Sequence, residues 1–413
     1  RSAGRGGGRG PGARAPAATL AELTEQALEA ALRFDAPADA VIRRFFADHR
    51  EMGRRDRGVV AERVFDVLRN RRLYAHLAQG GGGTLASRML AISSARDRLD
   101  LSGIAPEVRL SLPDWLFGRL SSALDPGALE SLGRAMLEPA PLDLRVNPLK
   151  SDRDSVLRLL AADGIDATAS TLAPLGIRVV GKPALERSQA FGQGLVEVQD
   201  CGSQLIAHLV APRRGQTVFD FCAGAGGKTL ALAGLLRGTG QVFACDVSVA
   251  RLQRLRPRLA RSGATNVQPF GIDSEADRKL ESFAGRVDAV LVDAPCSGTG
   301  TLRRNPDLKW RLNPEDLAQL QVKQRAILAS AARLVRVGGV LVYATCSLLP
   351  EENDAVRRWF ESVHPGWEID PAAAVLERQG AVIGPLLDPD CMVLRPDVHG
   401  TDAFYAARWV RRA

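Results

Sequence analysis

From Cys201 onward, short apolar runs alternate with helical stretches. Five such runs read as strands, Thr217 to Phe221, Gln241 to Cys245, Val267 to Ile272, Val287 to Val292 and Val340 to Ala344. Helices are expected between most of them, among them Asp316 to Val335, with Asn313 as its cap and Pro314 in its first turn. Strands this poor in polar residues, alternating with helices, predict a parallel sheet covered on both faces. Ligands of such sheets bind at the carboxyl ends of the strands.

The preceding chain is organised differently. Leu142, Leu144 and Val146 alternate with Asp143, Arg145 and Asn147, which predicts a strand. A helix (Ser155 to Ala162) and a second strand (Gly176 to Val180) complete a small α+β module over 139–200. Residues 19–138 carry helical periodicity, as in Leu20, Leu23, Ala27 and Ala31. Residues 1–18, rich in Gly and Arg without an acid, predict a flexible basic tail. No apolar run is long enough to span a bilayer and no signal segment opens the chain, so a cytosolic monomer is expected.

The 413 residues carry a net charge of +8, and 49 of the 55 basic residues are arginine. An Arg-dominated excess favours an anionic polymer such as RNA as partner. The six cysteines form no CxxC pair and have no histidine at ligand spacing, so neither a metal site nor a disulfide framework is expected.

The first strand of the sheet runs into Asp220-Phe221-Cys222-Ala223-Gly224-Ala225-Gly226-Gly227-Lys228-Thr229. A Walker loop would need Gly at Cys222, and a dinucleotide fingerprint would need Gly at Thr229, so neither motif is met. What remains is a Gly-rich turn that a ligand can approach closely. The next strands end in Asp246, suited to ribose hydroxyls, in Asp273, placed for an adenine amino group, and in Asp293. Acids around a turn with no room for pyrophosphate suit a cationic nucleoside, S-adenosyl-L-methionine.

Two cysteines follow the last two of these strands, in Asp293-Ala294-Pro295-Cys296-Ser297-Gly298 and in Thr345-Cys346-Ser347. An amine methylase needs no thiol. Carbon 5 of a pyrimidine is a poor nucleophile until a thiolate adds to carbon 6, and a thiolate can leave again afterwards.

With these motifs, Leu144-Arg145-Val146-Asn147-Pro148, Val198-Gln199-Asp200, Tyr343 to Ser347, Pro350-Glu351-Glu352-Asn353 and His399-Gly400-Thr401-Asp402, the chain from about residue 142 resembles the Sun (Fmu) family of RNA cytosine-5 methyltransferases. Residues 19–138 resemble a NusB-type RNA-binding domain through Arg55-Asp56-Arg57 and Val67 to Arg71. The resemblance implies a Rossmann-like methyltransferase domain at 201–413, an α/β fold, preceded by the α+β RNA-binding module and the all-α domain. It implies Cys346 as nucleophile, Cys296 as the thiol assisting release, and Asp293 bridging cofactor and base. Cys222, Ala223, Gly224, Ala225, Gly226, Gly227 and Lys228, with Asp246, Asp273 and Asp293, would hold S-adenosyl-L-methionine. Ala225 stands where the family commonly has Pro, and Cys201 where it commonly has an acid.

Arg303, Arg304, Lys309 and Arg311, with Trp310 among them, fit phosphate and base contacts. The arginines at 54–72 and at 251–261 are either solvated helix faces or further RNA contacts. The expected activity is cytosine-5 methylation of small-subunit (16S) ribosomal RNA. Methylation of transfer RNA and a non-catalytic assembly factor are the alternatives.

Overall fold

A computed structural model describes residues 18–384 and 387–413; all but the last residue of the expected basic tail lies outside them. The chain divides into two compact units, up to Asp100 and from Leu101 to Ala413.

In the first unit the helices Leu20–Ala31, Ala38–Asp48, Arg54–Arg69, Arg71–Leu77 and Leu85–Ser94 bury Leu23, Ala27 and Ala31 of the stripe read from the sequence, together with Leu28, Val60, Val64, Val67 and Leu68, while Leu20 is exposed. Thr19 and Glu22 form a capping box that fixes the first helix start. The arginines at 54–72 do not form one solvated face. Arg54 and Arg55 are exposed, whereas Arg57 bonds the Met52 carbonyl and Arg63 bonds Ser94.

The helices Pro106–Arg109, Asp114–Ala123 and Pro126–Leu137 belong to the second unit, so compactness breaks the chain near residue 100 rather than 138. The reason is apolar packing: Leu110, Leu116, Leu120 and Leu132 share a core with Leu302, Leu317 and Leu349.

Strands β1 (Leu142–Val146), β2 (Ala167–Ala169), β3 (Gly176–Val179) and β4 (Val196–Val198) form a small antiparallel sheet in the order β2-β3-β1-β4. The large sheet follows, with β5 (Thr217–Asp220), β6 (Gln241–Asp246), β7 (Val267–Gly271), β8 (Val287–Asp293), β9 (Val335–Thr345), β10 (Trp367–Ile369), β11 (Met392–Leu394) and β12 (Phe404–Arg411). Its order is β7-β6-β5-β8-β9-β12-β10, with β11 beside β12. Strands β5 to β9 are parallel, and β12 runs against β9. Successive residues point to opposite faces. Phe219, Val290 and Leu341 meet Ile327 and Leu328 of helix Asp316–Leu334, while Val218, Leu291 and Val342 meet Leu205, Leu209 and Leu232 on the other side.

Phe219 is fully buried, with ring centroids 4.8 Å from Phe243 and 4.7 Å from Phe283. Phe219→Ala should therefore cost about 3–5 kcal/mol, read as a lower urea midpoint of the second unit's transition.

Candidate active site

The carboxyl ends of β5, β6, β8 and β9 surround a cavity of about 520 Å³. Its walls include Phe221, Cys222, Ala223, Gly224, Ala225, Gly227 and Lys228 from the first turn, with Asp246, Ile272, Glu275, Asp293, Cys296 and Cys346. Most of the residues singled out for the cofactor and the chemistry thus meet in one cleft.

The turn is shaped by backbone geometry. Gly226 has φ +84°, and a Cβ there would lie 2.1 Å from Leu255, so only glycine lets the turn close over the helix Val249–Ser262. Its Cα packs inward, and Gly226 itself does not line the cavity. Asp246 is buried; its Oδ2 accepts from the Gly224 N–H (2.8 Å) and its Oδ1 from the Ser248 N–H (2.7 Å). A carboxylate so fixed retains lone pairs for hydroxyls of a ligand. Asp220 closes β5 behind the turn, where burial pushes its carboxyl up to about 7; Thr229 donates to one oxygen at 2.7 Å.

Asp273 is the exception among the acids. Strand β7 stops at Gly271, and Asp273 is exposed on the following bend, whose N–H donates to Asp277 (2.9 Å). Ile272 and Glu275 form the cavity wall there instead. A bend so close to the strand end turns alternate side chains outward, which strand alternation alone does not reveal.

At the other end of the cleft the Cys296 and Cys346 Sγ atoms are 3.5 Å apart. Parallel pairing of β8 with β9, Asp293 opposite Ala344, brings the two loops side by side. Gly300 N–H donates to the Cys346 carbonyl (2.9 Å), and a Cβ at residue 300 would lie 2.3 Å from the Ala403 carbonyl. The hydrogen bond to Cys346, together with burial, pushes the Cys296 thiol well above its ordinary range.

Lys228 opens the helix after the Gly-rich turn, yet its Nζ reaches across the cleft to Asp293 Oδ2 at 2.6 Å. Burial works against that ammonium, but Asp293 and the nearby Cys346 outweigh it and hold the lysine above its ordinary value. The sequence placed Lys228 only in the cofactor turn; nothing in the local pattern announced a partner 65 residues away.

The α+β module bears directly on the cleft. Arg145 is buried, bonds Gln199, and donates to the Gly227 carbonyl (2.8 Å). Arg258 and Arg261 pair with Glu197 at 3.0 and 2.5 Å, and Arg258 also donates to the Ala225 carbonyl (2.6 Å). Arg258 therefore fastens the turn to the module and Arg261 adds a second pair to Glu197, while Arg251, Arg254 and Arg256 are exposed.

The residues expected on RNA are placed otherwise. Arg303 is buried against Asp402 and the Gly400 carbonyl, and Arg304 pairs with Asp402 (2.5 Å) and Asp200 (2.8 Å). Lys309 is buried over the Trp310 ring, and Arg311 pairs with Asp307 at 3.4 Å. In this stretch Arg303 and Arg304 are neutralised by Asp200 and Asp402, which arrive from elsewhere in the fold, whereas Arg311 stays exposed and pairs with Asp307 four residues before it.

A family model described as 16S rRNA methyltransferase RsmB/F matches residues 207–410, and one for the ferredoxin-like domain of RsmF/B-like methyltransferases matches 112–186. A probable ribosomal RNA small subunit methyltransferase B of Synechocystis is 37% identical over 290 residues, 70% of this chain and 65% of that protein. The ribosomal RNA small subunit methyltransferase B of Sodalis glossinidius is 36% identical over 307 residues, 74% of this chain and 67% of that protein. The chain thus spans about two thirds of the length of these relatives. The crystal structure of PH0851 superposes with a TM-score of 0.78 at 26% identity, covering 94% of this chain and 98% of that one.

Three outcomes follow from these placements. Peptide-resolved iodoacetamide labelling of Cys296 should still accelerate above about pH 9, since a raised pKa leaves little thiolate below it. Arg304→Ala should lower the urea midpoint by leaving Asp200 and Asp402 short of a partner. The same substitution should change the slope of RNA affinity against salt by less than about one phosphate contact.

Proposed function

The chain belongs to the RsmB/F family of 16S rRNA methyltransferases, and from that membership we propose that it methylates carbon 5 of a cytosine in small-subunit ribosomal RNA, with S-adenosyl-L-methionine as donor and Cys346 as a covalent nucleophile. The observation that carries this reading is the pair of thiols 3.5 Å apart beside the Lys228–Asp293 ion pair. Transfer to a nitrogen, which has its own lone pair, would have no use for it.

The cleft fits the donor. Asp246 suits ribose hydroxyls, Phe221 and Ile272 offer apolar walls for a base, and Asp293 and Glu275 complement positive charge. The first N–H of the turn that an anion would seek is already given to Asp246, which disfavours a phosphate chain. Bound there, S-adenosyl-L-methionine supplies an electrophilic methyl group.

The protein's own groups do the rest. The Cys346 thiolate forms a bond to carbon 6 of an unstacked cytosine, and the displaced electron pair moves toward N3, leaving carbon 5 nucleophilic. Lys228 orients Asp293, which carries the proton given up by the Cys346 thiol to ring N3 as the adduct forms. Once carbon 5 carries the methyl, its proton passes to solvent, the C5–H electron pair forms the C5–C6 double bond, and the C6–S bond breaks to expel Cys346 as thiolate. Cys296 stands where it assists that release.

Cys346→Ala should lower turnover by at least on the order of 10³-fold, measured as methyl transfer to small-subunit RNA. Cys296→Ala should instead accumulate a covalent protein–RNA species, visible as a slow-migrating band in denaturing gels. Mapping bisulfite-resistant cytosines in ribosomal and transfer RNA from a deletion strain identifies the substrate; loss of a transfer-RNA site alone would replace the ribosomal reading.

A further inference from the structure

Resting on the cysteine chemistry above, we propose that Glu352 is a positioning residue that sets the spacing of the two thiols. It is fully buried. Its Oε1 accepts from the Ser297 N–H (2.8 Å) and from Gln324 Nε2 (2.9 Å). Its Oε2 accepts from the hydroxyls of Ser297 and Ser347, each at 2.5 Å. Four donors fill the four lone-pair positions of a carboxylate. Two of the donor residues, Ser297 and Ser347, directly follow Cys296 and Cys346 in the chain.

The carboxylate is itself held rigidly. Tyr343 donates to the Glu352 carbonyl (2.6 Å), Thr345 to Asn353 Oδ1 (2.5 Å), and Asn353 Nδ2 to the Ser347 carbonyl (2.9 Å). The two serine hydroxyls lie 3.2 Å from one another and 3.2 Å from Thr299 Oγ1, and the Leu348 N–H donates to the same threonine (2.9 Å). One residue thereby ties the loop after β8, the loop after β9 and the helix Asp316–Leu334 into a single unit. Apolar residues of equal volume would fill this space at less desolvation cost, but they could not hold two loops in one register. A residue that only fills the core predicts no change in the meeting of the sulfurs; one that positions them does.

The 413-residue chain with Glu352→Gln puts a donor where an acceptor is required. Diamide oxidation, followed by peptide mass spectrometry, reads how often the Cys296 and Cys346 sulfurs meet, independently of any methyl transfer. The Cys296–Cys346 disulfide should form on the order of tenfold more slowly than in the wild type. Under the cytosine-5 reading, kcat should fall on the order of 10²-fold, with KM for RNA and donor within about twofold. Sinefungin affinity reports that the fold and the donor pocket are intact. If Glu352→Gln does not fold, Ser347→Ala removes one of the four donors and is read in the same way. A disulfide rate equal to the wild type in a folded variant would overturn the positioning role. A slowed disulfide in a chain whose wild type methylates no cytosine would support positioning and overturn the catalytic reading instead.

Discussion

Parallel pairing of β8 with β9 is the constraint from which the cleft follows. With Asp293 opposite Ala344, both strands end at one level, and their loops leave the sheet side by side. Two cysteines separated by 50 residues then face the same cavity as the turn after β5. Any slip of that register by one residue would send every side chain on one strand to the other face, and the sulfurs would part.

Around this frame, charge is spent internally to an extent the composition does not suggest. Lys228 answers Asp293, Arg258 and Arg261 answer Glu197, and Arg304 answers Asp200 and Asp402. Several of these pairs join the small sheet to the large one, so the module at the entrance is fastened to the donor turn by bonds whose partners are largely withdrawn from water. Losing one partner from such a pair leaves the other charge uncompensated. An arginine count therefore overstates the surface available to an anionic polymer. The arginines left exposed on the described surface include Arg54, Arg55, Arg251, Arg254 and Arg256.

Much of the second unit was legible in one dimension. Its strands appear close to where apolar runs placed them, because a strand covered on both faces must be apolar throughout. Cys296, Cys346, Asp246 and Asp293 could be placed at the cleft because strand ends are where such sheets bind ligands, and a thiol or carboxylate there stands out against apolar neighbours. Asp273 misled because a strand's last residue does not report which way the next one turns. Arg303, Arg304 and Lys309 misled because their partners lie about 100 residues away or more in sequence, or in packing that periodicity does not encode.

The order of apolar strands and helices, the glycine turn and the two thiol motifs are properties of local sequence, and they determined the sheet and the candidate groups at its carboxyl edge. Which charged residues remain free, how Lys228 reaches Asp293 and how Glu352 gathers Ser297 and Ser347 were decided only in the folded chain. Such contacts depend on loop closures over tens of residues, and a side chain's partner across a closed loop is set by packing rather than by its neighbours along the chain.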